Sequence, residues 1–268
     1  MVSNTNQKSF VIVKLNYSIQ GEGLPVILMH GMFGSLSNLG VVGRALTDLY
    51  KVISVDLRNH GESPHSLVMD YPSMAEDIIE LMDDQCLQEA DLLGHSMGGK
   101  IAMQIAMNYP DRVNKLIAAD IAPVTYKPDR HGGVLEGLQA LTEARPTSRR
   151  EADELLATYV EENSVRAFLL KNLVREEDGQ FGLRLYMEGI IGNYYDTLTL
   201  APTGEPFSGP TLFIKGEDSA YIQDKHRDEV LRLFPKAQLK MIANTGHWLH
   251  AEKPETFNKI VHSFLEKP

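Results

Sequence analysis

With one cysteine, Cys86, in 268 residues, the chain can form no internal disulfide and no cysteine-based metal cluster, a usage that suits a reducing compartment. Cys86 closes the amphipathic run Met74 to Cys86 and is expected as a small core residue. There is no block of Lys or Arg: 26 scattered basic residues face 36 acidic ones, for a net charge of -10. Nucleic acid and anionic membranes both require a basic face, so neither is the expected partner. No apolar run reaches the length of a membrane span, and Met1 to Lys8 lacks a basic stretch leading into an apolar core. A soluble, cytoplasmic protein without stable membrane insertion is expected. Spaced His, Asp or Glu ligands are missing too, so no metal is implied.

What is present is enough apolar residue, 43%, for one large domain or a domain carrying an insertion. Ser9 to Tyr17 alternates like a strand, and Pro25 to His30 is apolar enough to be buried on both faces. Strand and helix patterns then alternate: strands over Lys51–Leu57, Ala90–Leu93, Val113–Ala122, Thr211–Lys215 and Gln238–Ala243, helices over Tyr71–Cys86, Lys100–Asn108, Asp224–Phe234 and Glu255–Leu265. This rhythm predicts an α/β fold with a mostly parallel sheet flanked by helices. Between Pro123 and Pro210 it gives way to helices only. Ser148-Arg149-Arg150-Glu151 reads as a capping box, Asn163 or Ser164 as the next cap, and Leu183–Leu200 as a third helical pattern. The chain therefore divides into a core, 1–122 and 208–268, and a helical insertion, 123–207. An insertion leaving the sheet there should cover the C-terminal strand edges, where ligands bind in open α/β sheets.

Gly94-His95-Ser96-Met97-Gly98 joins the strand at Ala90–Leu93 to the helix at Lys100, the context of a nucleophile elbow. The sharp turn leaves no room for side chains two positions either side of the serine, and Gly94 and Gly98 supply the space. Gly94 to Lys100 also spells most of a phosphate-binding loop, but Ile101 stands where Ser or Thr must hold magnesium.

A serine hydroxyl needs a base, and the base needs a carboxylate to hold its tautomer. Elbows of this kind are followed along the chain by the acid and then the histidine, which lies after the last strand. His247, in Asn244-Thr245-Gly246-His247-Trp248, fits that place. His30 and His60 precede turn glycines, His95 flanks the elbow, and His65, His131, His226, His250 and His262 read as surface or insertion-edge positions. The acid has two candidates. The turn after the next-to-last strand, Gly216-Glu217-Asp218-Ser219, carries Ser219 at the usual acid position and Asp218 one residue early. Asp120 ends the apolar strand Leu116 to Ala122, where an unpaired carboxylate is costly. Asp120 is preferred, Asp218 competes, and Ser219 can hydrogen-bond within the network. Backbone N–H groups of Met97 and Met32, with Phe33 as second choice, are the candidate oxyanion donors. The aromatic and apolar surface of the insertion, including Tyr126, Phe168, Leu169 and Tyr194, together with Phe33 and Trp248, is expected to line the pocket and take an acyl chain.

These segments resemble the α/β-hydrolase superfamily, and more narrowly the small YbfF-type bacterial esterases and their mitochondrial relatives. The likeness rests on His30 to Ser35 with Asn38 to Gly40, Asp56 to Pro64, Gly94 to Lys100, Asp120 to Val124, Lys215 to Ile222 and Gly246 to Pro254. Arg58-Asn59-His60-Gly61 and the displaced acid are its more specific signals. It implies an α/β-hydrolase fold with a helical cap inserted after the sixth strand. It also implies ester hydrolysis without a cofactor, with Asp120 as acid, Ser219 as accessory member and acyl thioesters among the substrates. A C–C bond hydrolase or a cofactor-free perhydrolase would use the same triad, and a capped ligand-binding protein with weak turnover would share the fold.

Overall fold

The computed structural model describes residues 11–127 and 132–267. Seven strands form one sheet: β1 (Tyr17–Gln20), β2 (Leu24–Met29), β3 (Tyr50–Val55), β4 (Ala90–His95), β5 (Val113–Ala119), and, after the insertion, β8 (Thr211–Gly216) and β9 (Ala237–Ile242). Their order is β1-β3-β2-β4-β5-β8-β9, and only β1 runs antiparallel to its neighbour. Alternation along the strands sends side chains to two apolar layers. Ile27, Met29, Ile53, Val55 and Leu92 face α2 (Tyr71–Asp84) and α3 (Met97–Asn108). Val26, Leu28, Val52 and Leu93 face α1 (Gly40–Leu46) and α10 (Pro254–Leu265).

Between β5 and β8 the chain forms α4 (Gly132–Ala144), α5 (Arg149–Leu156), α6 (Asn163–Leu169) and α7 (Met187–Asn193), which runs on into a π-helical turn, Tyr194–Leu198. The expectation of helices only is corrected by a hairpin, β6 (Leu173–Arg175) with β7 (Phe181–Leu183). Such three-residue strands are too short to show an alternating pattern. Ser148 does cap α5, accepting from Glu151 N–H, while the Glu151 carboxylate turns to Thr147 instead of completing the box. Glu162, not Asn163 or Ser164, stands at the start of α6.

The insertion follows the fifth strand of the described residues, not the sixth. The alternating segment before Tyr17 forms no strand where it is described, because two of its N–H groups are claimed by side chains. Val13 N–H donates to Asp77 at 2.7 Å and Asn16 N–H to Ser63 at 2.8 Å. Cys86 is also corrected: α2 stops at Asp84, and Cys86 lies exposed in the turn after it with φ 55°.

One buried ion pair joins the N-terminal segment, the loop after β3 and α2. Arg58 and Asp77 make a two-pronged contact, Nε and Nη2 each 2.7 Å from a carboxylate oxygen. The remaining guanidinium donors go to the carbonyls of Val68, Val11 and Ser73. Both side chains are essentially unexposed, 0% and 1%. Removing one partner leaves a buried charge, so Asp77→Ala is expected to cost about 3–5 kcal/mol in urea unfolding. A loss below about 1 kcal/mol, the worth of an exposed pair, would contradict this role.

Candidate active site

Ser96 sits between β4 and α3 with φ 52° and ψ −118°, a strained conformation for a residue with a side chain. The elbow is packed too tightly for anything but glycine beside it. A Cβ on Gly94 would lie 2.1 Å from Gly98 O, and one on Gly98 would lie 2.3 Å from Met29 O. The strand before and the helix after thus press the serine outward.

Three loops at the C-terminal edge of the sheet bring Ser96, His247 and Asp120 together. His247 Nε2 is 3.0 Å from Ser96 Oγ, and His247 Nδ1 is 2.7 Å from Asp120 Oδ2. With the proton on Nδ1 donated to the carboxylate, Nε2 is left to accept the serine hydroxyl. Asp120 is unexposed and itself in the left-handed region, φ 51°. Its Oδ1 accepts Gly216 N–H at 3.1 Å and its Oδ2 accepts the Ser219 hydroxyl in a short bond. Asp218 is exposed, and its backbone N–H is bonded to Thr245 O at 2.9 Å.

Two further groups hold His247. Tyr221 stacks on it, centroids 4.0 Å apart and planes 22° from parallel, and Tyr221 O is fixed by the Tyr126 hydroxyl, which also accepts Ala122 N–H. The His247 main-chain carbonyl is in turn bonded to His95 Nε2 at 2.8 Å. The position of Tyr221, two residues beyond Ser219, was the only signal available for it.

The turn after β2 is braced by histidines rather than left to its glycines. His30 Nε2 accepts Leu57 N–H at 3.0 Å, and His60 Nε2 accepts Phe33 N–H at 3.1 Å. Phe33 N–H is therefore engaged. Among the described residues, the N–H groups of Met32 and Met97 make none of the loop, turn or cap hydrogen bonds, and both residues line a cavity with Ser96. From the insertion, Asn172 donates to Phe33 O at 2.8 Å and so steadies the same turn.

The expected pocket residues divide between two cavities. Phe33, Phe168, Leu169 and Trp248 line an open cleft of 690 Å³ with Ser96, His247 and Met32. Tyr126 and Tyr194 do not reach it. They line a smaller cavity on the other side of Ser96, 40 Å³ in volume, with Met97, Tyr71 and Lys100. The reason is local: the Tyr126 phenol is tied inward by its two bonds, and Tyr194 is buried at the start of the π-helical turn.

Comparison with known proteins identifies the fold family. The model of the alpha/beta hydrolase fold family matches residues 25–254. The chain belongs to that family. This hydrolase is 38% identical to "Esterase YbfF" of Escherichia coli over 246 residues, covering 92% of this chain and 94% of that protein. It is 40% identical to the "sn-1-specific diacylglycerol lipase ABHD11" of Mus musculus over 247 residues, 90% of this chain and 80% of that protein. Among solved structures, one titled "Marine microorganism esterase" superposes with a TM-score of 0.89 at 38% identity, covering 94% of this chain and 99% of that one.

The hydrolase keeps its supporting histidines neutral. Burial pulls His60 down to about 3 and His250 to about 4, and lowers His30 and, further, His95. His226 and His250, expected at the surface, are both buried. His131 lies outside the described residues. A histidine lowered in the folded state takes up its proton only on unfolding, so its contribution to stability falls as pH drops below 6.5. Asp91, raised by burial to about 6, and Asp77, also raised, act in the opposite sense. The lowered histidines outnumber the raised carboxylates, and each such group contributes at most about 1.4 kcal/mol per pH unit. Stability from urea unfolding is expected to fall between about pH 6.5 and pH 5. A flat or rising profile there would mean the histidines are not held neutral.

Proposed function

We propose that the protein is a serine esterase, hydrolysing carboxylic esters or thioesters through an acyl-enzyme on Ser96. The observation that carries this reading is the unbroken line from Ser96 Oγ through the His247 ring to Asp120, at 3.0 and 2.7 Å. The names of the relatives, an esterase and a diacylglycerol lipase, support ester-bond chemistry.

In this mechanism His247 takes the Ser96 proton as the oxygen attacks the acyl carbon, then returns it to the departing alcohol or thiol. Asp120 holds the ring with Nδ1 protonated and stabilises the imidazolium that forms. The Ser219 hydroxyl and Gly216 N–H keep the carboxylate aimed while it is out of water. Backbone N–H groups of Met32 and Met97 receive the oxyanion. Water admitted by the cleft then attacks the acyl-enzyme with His247 again as base. Residues 123–207 serve as a cap: Phe168 and Leu169 give the large cleft an apolar wall for the bulkier part of the substrate.

Ser96→Ala is expected to abolish hydrolysis, measured with a p-nitrophenyl ester, with the fold intact by circular dichroism. Asp120→Asn should lower kcat by about 10⁴, because the amide favours the wrong imidazole tautomer. Asp218→Asn should cost far less. Equal losses at Asp120 and Asp218, or turnover persisting in Ser96→Ala, would refute the assignment.

A further inference from the structure

Gly31-Met32-Phe33-Gly34, the stretch that contains Met32, closes as a β-turn in which Gly34 N–H donates to Gly31 O at 3.1 Å. Of its two central residues only Phe33 has positive φ, 63°. That combination is a type II turn, whose third position is normally glycine. A phenylalanine there is strained and persists only where its surroundings hold it. The turn also packs directly on the nucleophile, since a Cβ on Gly31 would lie 3.1 Å from Ser96 Cβ.

Two side chains hold the peptide groups on either side of Phe33. Its N–H, in the central peptide of the turn, donates to His60 Nε2 at 3.1 Å. His60 Nδ1 is 2.9 Å from Arg58 O, so the ring carries its one proton there and leaves Nε2 to accept. The Phe33 carbonyl, in the next peptide, accepts from Asn172 Nδ2 at 2.8 Å. Turning the central peptide over would give the commoner type I turn and return Phe33 to negative φ, but it would swing the N–H away from His60. Both side chains are buried, His60 fully and Asn172 at 4% exposure, so bulk water does not replace a lost bond.

The two holders come from different parts of the chain. His60 belongs to the loop after β3, and Asn172 to the insertion, directly after α6. The same Asn172 amide donates to Leu169 O at 3.0 Å, and Leu169 lines the large cleft. A mere tie between insertion and core could end anywhere on the core. This one ends on the strained residue that follows Met32.

We propose that His60 and Asn172 are positioning residues for the reaction: they lock the turn in its type II form and so keep the Met32 N–H aimed at the oxyanion. Through Asn172 the insertion takes part in stabilising the transition state as well as in walling the cleft. The inference rests on Ser96 as nucleophile and on Met32 N–H as an oxyanion donor.

The test follows hydrolysis of phenyl acetate by the full chain. Asn172→Ala is expected to lower kcat about tenfold or more, a part of the 10²–10³ that loss of an oxyanion donor costs, with KM within about twofold. Binding of a phenethyl trifluoromethyl ketone, which adds to Ser96 and places an oxyanion in the hole, should weaken by about the same factor. The matching methyl ketone, which forms no stable adduct, should bind as it does to the wild-type protein. His60→Leu should repeat this pattern, and His60→Gln, whose amide oxygen can accept the same N–H, should recover most of the rate. Should Asn172→Ala fail to fold, Asn172→Asp removes the donor at the same size and takes its place. A rise in KM with kcat unchanged, or equal weakening of both ketones, would mean that Asn172 only shapes the cleft and would overturn the proposal. Wild-type kinetics in the Asn172 variant and in His60→Leu would do the same. In each of these cases a wild-type protein that hydrolyses phenyl acetate through Ser96 leaves the esterase reading standing. If the wild-type protein does not hydrolyse it, the esterase reading falls first.

Discussion

A carboxylate without solvent exposure, such as Asp120 at the end of β5, is stable only where donors reach it from fixed directions. Here they come from separate loops: Gly216 N–H and the Ser219 hydroxyl after β8, and the His247 ring after β9. Each donor satisfies the buried charge and each is thereby fixed in place. Stability and site geometry are consequently one problem in this molecule. The left-handed backbone at Asp120 and at Ser96 is tolerated because the parallel strands on either side over-determine it.

The same economy extends outward. Neutral buried histidines act as rigid hydrogen-bond spacers: His30 holds the start of the loop after β3, and His60 occupies the Phe33 N–H that would otherwise compete with Met32. Tyr126 links the end of β5 to Tyr221, whose ring carries His247. The insertion is tied to this frame by Asn172 at the turn after β2 and by Lys100 at its return to the core. The cleft and the small cavity are thus walled by groups that already brace the reacting residues. A change in substrate preference and a change in site order would be coupled.

Much of this was legible in the sequence because its signals are local and steric. Glycines two positions either side of Ser96, a histidine just after the last strand and a carboxylate ending an apolar strand each follow from a constraint within a few residues. Asp120 could be preferred over Asp218 because burial makes an idle carboxylate expensive, whereas Asp218 sits in a polar turn. What escaped depends on contacts far apart in the chain. Tyr221 stacks on a ring 26 positions away, and Tyr126 and Tyr194 turn to a second cavity because the phenol of Tyr126 is claimed by backbone groups. The hairpin β6–β7 is too short for a pattern, and Ser9–Tyr17 alternates like a strand though side chains take the N–H groups of residues 13 and 16. Lys100 read as part of a glycine-rich motif, and only the structure shows it buried against the end of the insertion.

The central claim is that this geometry makes one serine nucleophilic. The most direct measurement is reaction with a fluorophosphonate followed by mass analysis of the intact protein and its peptides. A single adduct, located on Ser96 and prevented by His247→Ala, is the result the account predicts. No adduct under conditions where the protein is folded, or an adduct on another serine, would contradict it.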